Sequence, residues 1–378
     1  MRVIHIADVH LGYRAYNRIN RAGINAREAD VFDAFRTTLA RTAELQPDLI
    51  LIAGDLFHAV RPSNMMIQYT FREFQLLRSK TNAPIVIIGG NHDTPRSADT
   101  GCILDLLSTI PDIYVVHGKY DQVKLENLDT SVFCLCHRAV PDISSLKIEP
   151  DPSSKYNVLM VHGTVDGIIK HAYDLHEIKR ADVITDKWDY IAFGHYHIFE
   201  ELAPNAFYSG SLEYTSTNIW SETQKDKGFI EYDLAERKLV HFHKVNTRDV
   251  IDLRPIDAKD KLSDDINLMI QHRIESLTDG HENKIVRLVV ENLPRSVQGG
   301  LDYSLVRKIR SEALHFDLQL RPPLKDGRRS TSHEHGSIKT LEEEWEEFAK
   351  VYDITAGVDR DNFVKMGRDY LLKQVPVE

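Results

Sequence analysis

The chain has 378 residues, 42% of them hydrophobic and 28% charged, with a formal net charge of −10. That length calls for more than one folding unit with a sizeable core, and the composition is globular, not fibrous or disordered. It excludes a membrane span, which needs an apolar run of roughly 20 residues. It also leaves any DNA binding to a local patch or a partner, since the overall charge is acidic.

The N-terminal Met1-Arg-Val-Ile-His-Ile-Ala7 is too short for a signal peptide, so the expectation is a cytoplasmic protein, nucleoid-associated in a prokaryote. Residues 3–7 read as a strand that ends at Asp8-Val-His10, with both polar side chains pointing one way from an extended segment. A loop follows with Tyr13, Arg14, Asn17, Arg18 and Arg21 and no acid. The spacing of Val31, Phe35 and Leu39 predicts a helix over 26–44.

Leu49 to Ala53 reads as a strand buried on both faces, ending at Gly54-Asp55-Leu-Phe-His58 with Arg61 and Asn64 just beyond. A second helix is expected over 63–79. The strand Ile85 to Ile88 then runs through Gly89-Gly90 into Asn91-His92-Asp93. A helix over 101–109 leads to a strand at 114–116.

Val132 to Cys136 reads as a strand with Cys134 and Cys136 on one face as buried small hydrophobes, and Cys102 completes the cysteines. The Pro-, Asp- and Ser-rich 141–155 reads as a loop. Strands at 158–161 and 190–193 end at His162-Gly163 and at Gly194-His195-Tyr-His197, and strands at 207–211 and 228–232 follow. Helices alternate with strands early and strands run together later, which predicts a two-layered α/β sandwich flanked by helices.

The texture changes near residue 250, where a strand (285–293), a helix (303–314) and a strand (317–321) predict a small α+β domain over 250–323. A polar linker (324–339) then leads to a helical segment (340–378). Leu341, Trp345, Phe348 and Tyr352 form one stripe on an acidic helix, and Phe363 and Tyr370 lie on a second helix over 360–373.

Apolar strand after apolar strand thus ends in a nitrogen or oxygen donor: Asp8 and His10, Asp55, Asn91 and His92, His162, His195 and His197. Carboxylates, an amide and imidazoles without a thiolate suit Mn²⁺, Fe²⁺ or Zn²⁺ over Ca²⁺. So many donors suit two ions sharing a carboxylate, the arrangement that clamps an in-line displacement at phosphorus.

Asp8-x-His10, Gly54-Asp55, Gly90-Asn-His-Asp93, His162-Gly163 and Gly194-His-x-His197 together resemble the motif set of the calcineurin-like metallophosphoesterases. Asp8-Val-His-Leu-Gly12 and Gly54-Asp-Leu-Phe-His58 resemble, more narrowly, the SbcD-type DNA-repair nucleases. The resemblance implies a nuclease domain over 1–249 with a capping domain over 250–323. It implies two divalent ions, Mn²⁺ being expected: Asp8, His10 and His197 on one, Asn91, His162 and His195 on the other, and Asp55 between them. His92 would stabilise or protonate the leaving oxygen, and His58 would stand near the phosphate. Asp93 either orients His92 or caps the next helix, the cap being favoured.

On this reading the protein is an exonuclease and endonuclease acting at double-strand breaks or hairpins. Tyr13, Arg14, Asn17, Arg18, Arg21, Arg61 and Asn64 are expected to meet the DNA backbone. The chain has no Gly-x-x-x-x-Gly-Lys-[Ser/Thr] loop. The resemblance therefore assigns ATP hydrolysis to an SbcC-like coiled-coil ATPase partner, which would dock through Leu341, Trp345, Phe348, Tyr352, Phe363 and Tyr370. It also implies a homodimer through the helices at 26–44 and 63–79. The competing readings are a small-substrate phosphodiesterase or phosphatase and an inactive scaffold; the arginine-rich loop and the complete donor set argue against them.

Overall fold

The computed structural model describes residues 1–97, 100–168, 177–323, 345, 348–349 and 359–373, with side chains in the last stretch to 368. Met1–Arg321 form one compact unit and Pro322–Glu378 a second. The first unit opens with β1 (Arg2–Ile6), α1 (Ala26–Leu45), β2 (Leu49–Ile52), α2 (Asn64–Arg78), β3 (Ile85–Ile88) and β4 (Ile113–Val116). The four strands lie parallel in that order, with α1 and α2 as the crossovers between the first three. Asn25 starts α1 by accepting the backbone N–H groups of Arg27 and Glu28, and Ser63 starts α2 by accepting that of Met66.

Both faces of this sheet are covered, which is why its strands are continuously apolar. Ile4, Ile6, Ile50, Ile52, Ile85 and Ile87 pack under Phe35 of α1 and Phe74 of α2. Their alternates Val3, Leu49, Leu51, Val86 and Ile88 face the second sheet.

That second sheet holds β5 (Tyr120–Leu125), β6 (Thr130–Leu135), β7 (Tyr156–His162), β8 (Tyr190–Gly194), β9 (Glu200–Ala203) and β10 (Ala206–Tyr208). Its order is β5-β6-β7-β8-β10-β9, with β6, β7 and β8 parallel. Val132, Cys134, Val158, Met160 and Ala192 fill the space between the sheets, and Phe133, Leu159, Ile191 and Phe193 pack outward under Val140, Ile178 and Trp188. β11 (Gly228–Asp233) and β12 (Lys238–Lys244) then return antiparallel to the edge of the first sheet beside β1. The architecture is the expected two-layered sandwich with helices outside.

A third, all-parallel sheet comprises β13 (Val250–Asp257), β14 (Ile285–Glu291) and β15 (His315–Leu320), crossed by α3 (Ser263–Glu275) and α4 (Tyr303–Glu312). It has its own core, built from Ile266, Ile270, Val286, Leu288, Val306 and Ile309.

Several elements depart from the sequence reading. The helix expected over 101–109 is a 3₁₀ helix over Ile103–Thr109, and a further 3₁₀ stretch, His137–Ser145, occupies the start of the expected loop. Strands β5, β9, β12 and β13 and helix α3 come from stretches with no apolar run.

In the second unit, α5 spans Arg360–Lys373. The Trp345 indole N–H donates to the Val364 carbonyl at 2.9 Å, and its ring stands 5.3 Å from that of Phe363. Two of the residues expected to meet a partner therefore use part of their surface on each other, and the half-exposed Phe348 stands 6.0 Å from the Trp345 ring. Leu341, Tyr352 and the Tyr370 side chain lie outside the described residues.

Candidate metal centre

The loops that leave β1, β2, β3, β7 and β8 meet at one end of the sandwich. Two of them run side by side: Asp8 N–H donates to the Gly54 carbonyl at 3.2 Å, His10 N–H to Asp55 at 2.9 Å and Leu11 N–H to Leu56 at 2.9 Å. Asp8 and His10 do not continue the strand, as the sequence reading has it. Their φ values are 51° and 55°, a left-handed turn that begins once β1 has ended at Ile6. Asp55 and His195 share this conformation, at φ 50° and 98°.

Glycine lets these loops close on one another. Gly54 has a φ of 91°, and a Cβ there would collide with the His162 ring; a Cβ on Gly90 would collide with the Asp55 carboxylate.

Side chains and backbone lock the donors. Asp55 Oδ1 accepts His92 N–H at 2.9 Å, and both Asp8 oxygens accept His195 N–H, at 3.0 and 2.9 Å. His162 Nδ1 donates to the Ala53 carbonyl at 2.8 Å, which leaves Nε2 as the ring nitrogen that can take a proton or a metal ion. Nε2 faces Asn91 Oδ1 at 3.1 Å and Asp55 Oδ2 at 3.3 Å. His195 Nδ1 reaches the same Asn91 oxygen at 3.0 Å. On the other side, His10 Nε2 and His197 Nε2 stand 3.0 Å apart, with Asp55 Oδ2 3.8 Å from the former and Asp8 Oδ1 4.0 Å from the latter.

Among the donor groups close enough to hold an ion are Asp8–His10–His197 and Asp55–His162–His195, with His10–His58–His92 beside them. In the first two, acceptor atoms are aimed at one another within a largely buried space. Such crowding of lone pairs is tolerable around a cation and costly without one.

A family model for the calcineurin-like phosphoesterases matches residues 1–199, the stretch that supplies every one of these donors. The chain belongs to this family. Among curated relatives, the phosphoesterase is similar to the DNA double-strand break repair protein Mre11 of Methanocaldococcus jannaschii, with 27% identity over 281 residues, 71% of this chain and 69% of that protein. It is 30% identical over 253 residues to Mre11 of Methanococcus maripaludis, covering 62% of this chain and 63% of the relative, just under two thirds of its length. The SbcD component of the SbcCD nuclease of Staphylococcus saprophyticus is 24% identical over 298 residues, 73% of this chain and 75% of that protein.

Burial and mutual charge set the electrostatics of this phosphoesterase centre. Burial pushes Asp8 up to about 6, with the His162 charge opposing the shift. Burial also acts to raise Asp55, but the His162 and His10 imidazoles prevail and hold it well below the usual carboxylate range. Burial acts to lower His162, yet Asp55 and Asp8 raise it to about 10. His10 falls to about 3 because of burial. The donors are thus tuned as a set around Asp55.

His92 and His58 also join the site. His92 Nδ1 donates to the His58 carbonyl at 3.1 Å, which turns its Nε2 away from that loop. His58 Nδ1 is 3.3 Å from His10 Nδ1. With a metal ion on His10 Nε2, its Nδ1 would carry the proton and donate to His58, so His58 is placed to orient a donor residue as well as stacking on His92 at 5.1 Å. Asp93 neither caps a helix nor touches His92. It is fully buried and accepts the backbone N–H groups of Leu56 at 2.8 Å and Gly90 at 2.8 Å, tying the second loop to the third.

Of the residues expected on DNA, Tyr13 stands edge-on to His58 at 5.0 Å, within the site. Arg14 reaches back to the buried Glu28 at 2.8 Å, with its guanidinium side still largely exposed. Asn17, Arg21 and Arg61 are exposed on the neighbouring loops, and Asn64 is exposed at the start of α2. Arg18, partly exposed, donates from Nη2 to the carbonyls of Arg310 at 2.6 Å and Ser311 at 3.0 Å, at the C-terminal end of α4. Cations are stabilised there by the unpaired carbonyls, so Arg18 serves as a tie to the third sheet.

The sequence reading missed His137, whose ring stacks on His195 at 5.6 Å and stands 6.0 Å from His162. It follows the end of β6 as the recognised donors follow their strands, so the signal was present. It also missed the buried Lys227, which lies against His197 and carries no signal in its flanking residues.

Proposed function

We propose that this phosphoesterase is a metal-dependent DNA nuclease that hydrolyses phosphodiester bonds as an exonuclease and an endonuclease in double-strand-break or hairpin processing. The observation that carries the proposal is the pair of donor groups meeting at Asp55, on a chain similar to Mre11 and to the SbcD component of the SbcCD nuclease. Asp8, His10 and His197 would hold one divalent ion and Asn91, His162 and His195 the other, with Asp55 between them and Mn²⁺ as the metal. Bound ions would supply Lewis-acid polarisation of the phosphate and activation of water near neutral pH.

The chain's own residues do the rest. His92, fixed through Nδ1, would present Nε2 to the scissile group, where it would stabilise the departing sugar oxygen or give it a proton as the P–O bond breaks. On the opposite side the water oxygen would form the new bond to phosphorus and release a proton to solvent, which balances the proton taken up by the leaving oxygen. Tyr13, Arg14, Asn17, Arg21, Arg61 and Asn64 supply backbone contacts around the site.

The same reading takes 1–249 as the nuclease domain, 250–323 as a cap, 324–339 as a linker and 340–378 as the segment that docks a coiled-coil ATPase. It puts the protein in the cytoplasm as a homodimer through α1 and α2. Among the described residues, no helix is long and apolar enough to cross a membrane.

The test compares wild type with His92→Gln on labelled duplex and hairpin DNA, in Mn²⁺, Mg²⁺ or chelator. Cleavage should need the metal and fall by at least about 100-fold in the variant, within what a positioned acid contributes. Cleavage that survives chelation contradicts the proposal, as does full activity confined to a small chromogenic diester.

A further inference from the structure

His197 is a donor whose main chain lies outside any helix or strand, in the segment between β8 and β9. Asp8 and His10 are held by the neighbouring loop's carbonyls, and His195 by the Asp8 carboxylate. The His197 carbonyl instead accepts the Lys227 ammonium at 2.7 Å and Ser211 N–H at 3.2 Å.

The Lys227 site is built for this contact. Lys227 is 3% exposed and Glu222, its ion-pair partner, 4%. The remaining ammonium proton goes to Ser211 Oγ at 2.9 Å, and the Ser211 hydroxyl in turn donates to the Glu213 carbonyl at 2.8 Å. The Tyr214 ring lies 4.9 Å from the ammonium and closes the pocket. All three N–H groups are used, and the shorter of the two contacts to neutral oxygens is the one to the donor residue's own carbonyl.

Desolvating a lysine and a glutamate costs about as much as their attraction returns, so stability does not explain the pair. What it does, and what an apolar pair of equal volume cannot do, is donate to His197. We propose that Lys227 is a positioning residue: held by Glu222, it fixes the His197 main chain so that Nε2 stays opposite His10 Nε2, and it thereby sets the affinity of one ion of the two. Glu222 ends the 3₁₀ turn Ile219–Glu222. Trp220 on that turn carries Arg287 of β14 over its ring at 4.8 Å, so the third sheet leans on the segment that holds the lysine.

The proposal rests on the metal-centre reading, and the test separates the two. Full-length protein is stripped of metal and titrated with Mn²⁺, followed by calorimetry and by electron paramagnetic resonance. Glu222→Leu/Lys227→Met removes both charges together, so no lone buried charge remains to unfold the chain, and its melting temperature is measured alongside. Wild type should take up two ions. The double variant should bind one of them roughly 10- to 100-fold more weakly, the usual effect of losing a residue that orients a ligand, and the other within about twofold. His197→Ala should weaken the same ion. A folded double variant that binds both ions as wild type does overturns the proposal, and so does equal weakening of both. Wild type binding fewer than two ions overturns the metal-centre reading itself, whatever the variants do.

Discussion

Asp8, His10, Asp55 and His195 hold φ values of 51°, 55°, 50° and 98° within one cluster. For residues other than glycine this conformation costs about 1–3 kcal/mol each, and it persists only where the surroundings enforce it. Here the loop-to-loop hydrogen bonds and the buried Asp93 enforce it. Which donors meet was legible from strand ends such as Asp55 and His162; how they meet was not, because aspartate and histidine, though enriched among left-handed residues, adopt that region in only a small minority of cases. Gly54 is the residue on which the turn depends. Gly54→Ala adds a methyl against the His162 ring at an already strained φ, and we expect a loss of at least about 2 kcal/mol in urea unfolding. Manganese uptake at the His162 side should fall with it. An unchanged denaturation midpoint would show that the two loops have room the structure denies them.

At the scale of elements, the inner strands were readable because each is covered on both faces, as Ile50 and Leu51 illustrate by entering different cores. The edge strand β12, Lys-Leu-Val-His-Phe-His-Lys, is exposed along most of its length and has no apolar run to announce it. β1 carries an exception to its own pattern in His5, a fully buried imidazole whose Nδ1 lies 2.9 Å from the Tyr190 hydroxyl. Burial pushes its pKa down to about 3, against 6.5 for an ordinary histidine. The unfolded chain therefore binds a proton below pH 6.5 that the folded chain refuses, so this contribution to stability is intact above pH 6.5 and drains away as pH falls toward 3. Between about pH 6.5 and 5 the loss is about 1.5 kcal/mol from this residue alone. His5→Phe should shrink the drop in unfolding free energy over that interval by a like amount. Parallel curves for the variant and wild type would rule His5 out as the source.

The whole molecule joins two sheets into a sandwich and fastens a third to it. Arg248 forks onto Asp30 of α1 at 2.6 and 2.7 Å, and Arg18 reaches α4 from the other direction. The change of texture near residue 250 marked the third sheet in the sequence, but these fastenings join residues more than 200 positions apart and leave no local trace. An ion that binds only the folded state stabilises it by about 2.7 kcal/mol at a hundredfold excess over its Kd. Adding chelator to the metal-loaded protein should therefore lower the melting temperature by several degrees. In Asp55→Asn, which weakens both donor groups at their meeting point, chelator should make little difference. A wild-type melting temperature indifferent to chelator would mean that nothing of consequence occupies the cluster.

The donors come in two instalments, Asp8 to His92 from the first sheet and His162 to His197 from the second. A chain still emerging from the ribosome owns the earlier instalment long before the later one, and neither is a complete centre. A complete donor set thus forms only after both sheets have closed, and a copy that stops before the second sheet lacks His162, His195 and His197.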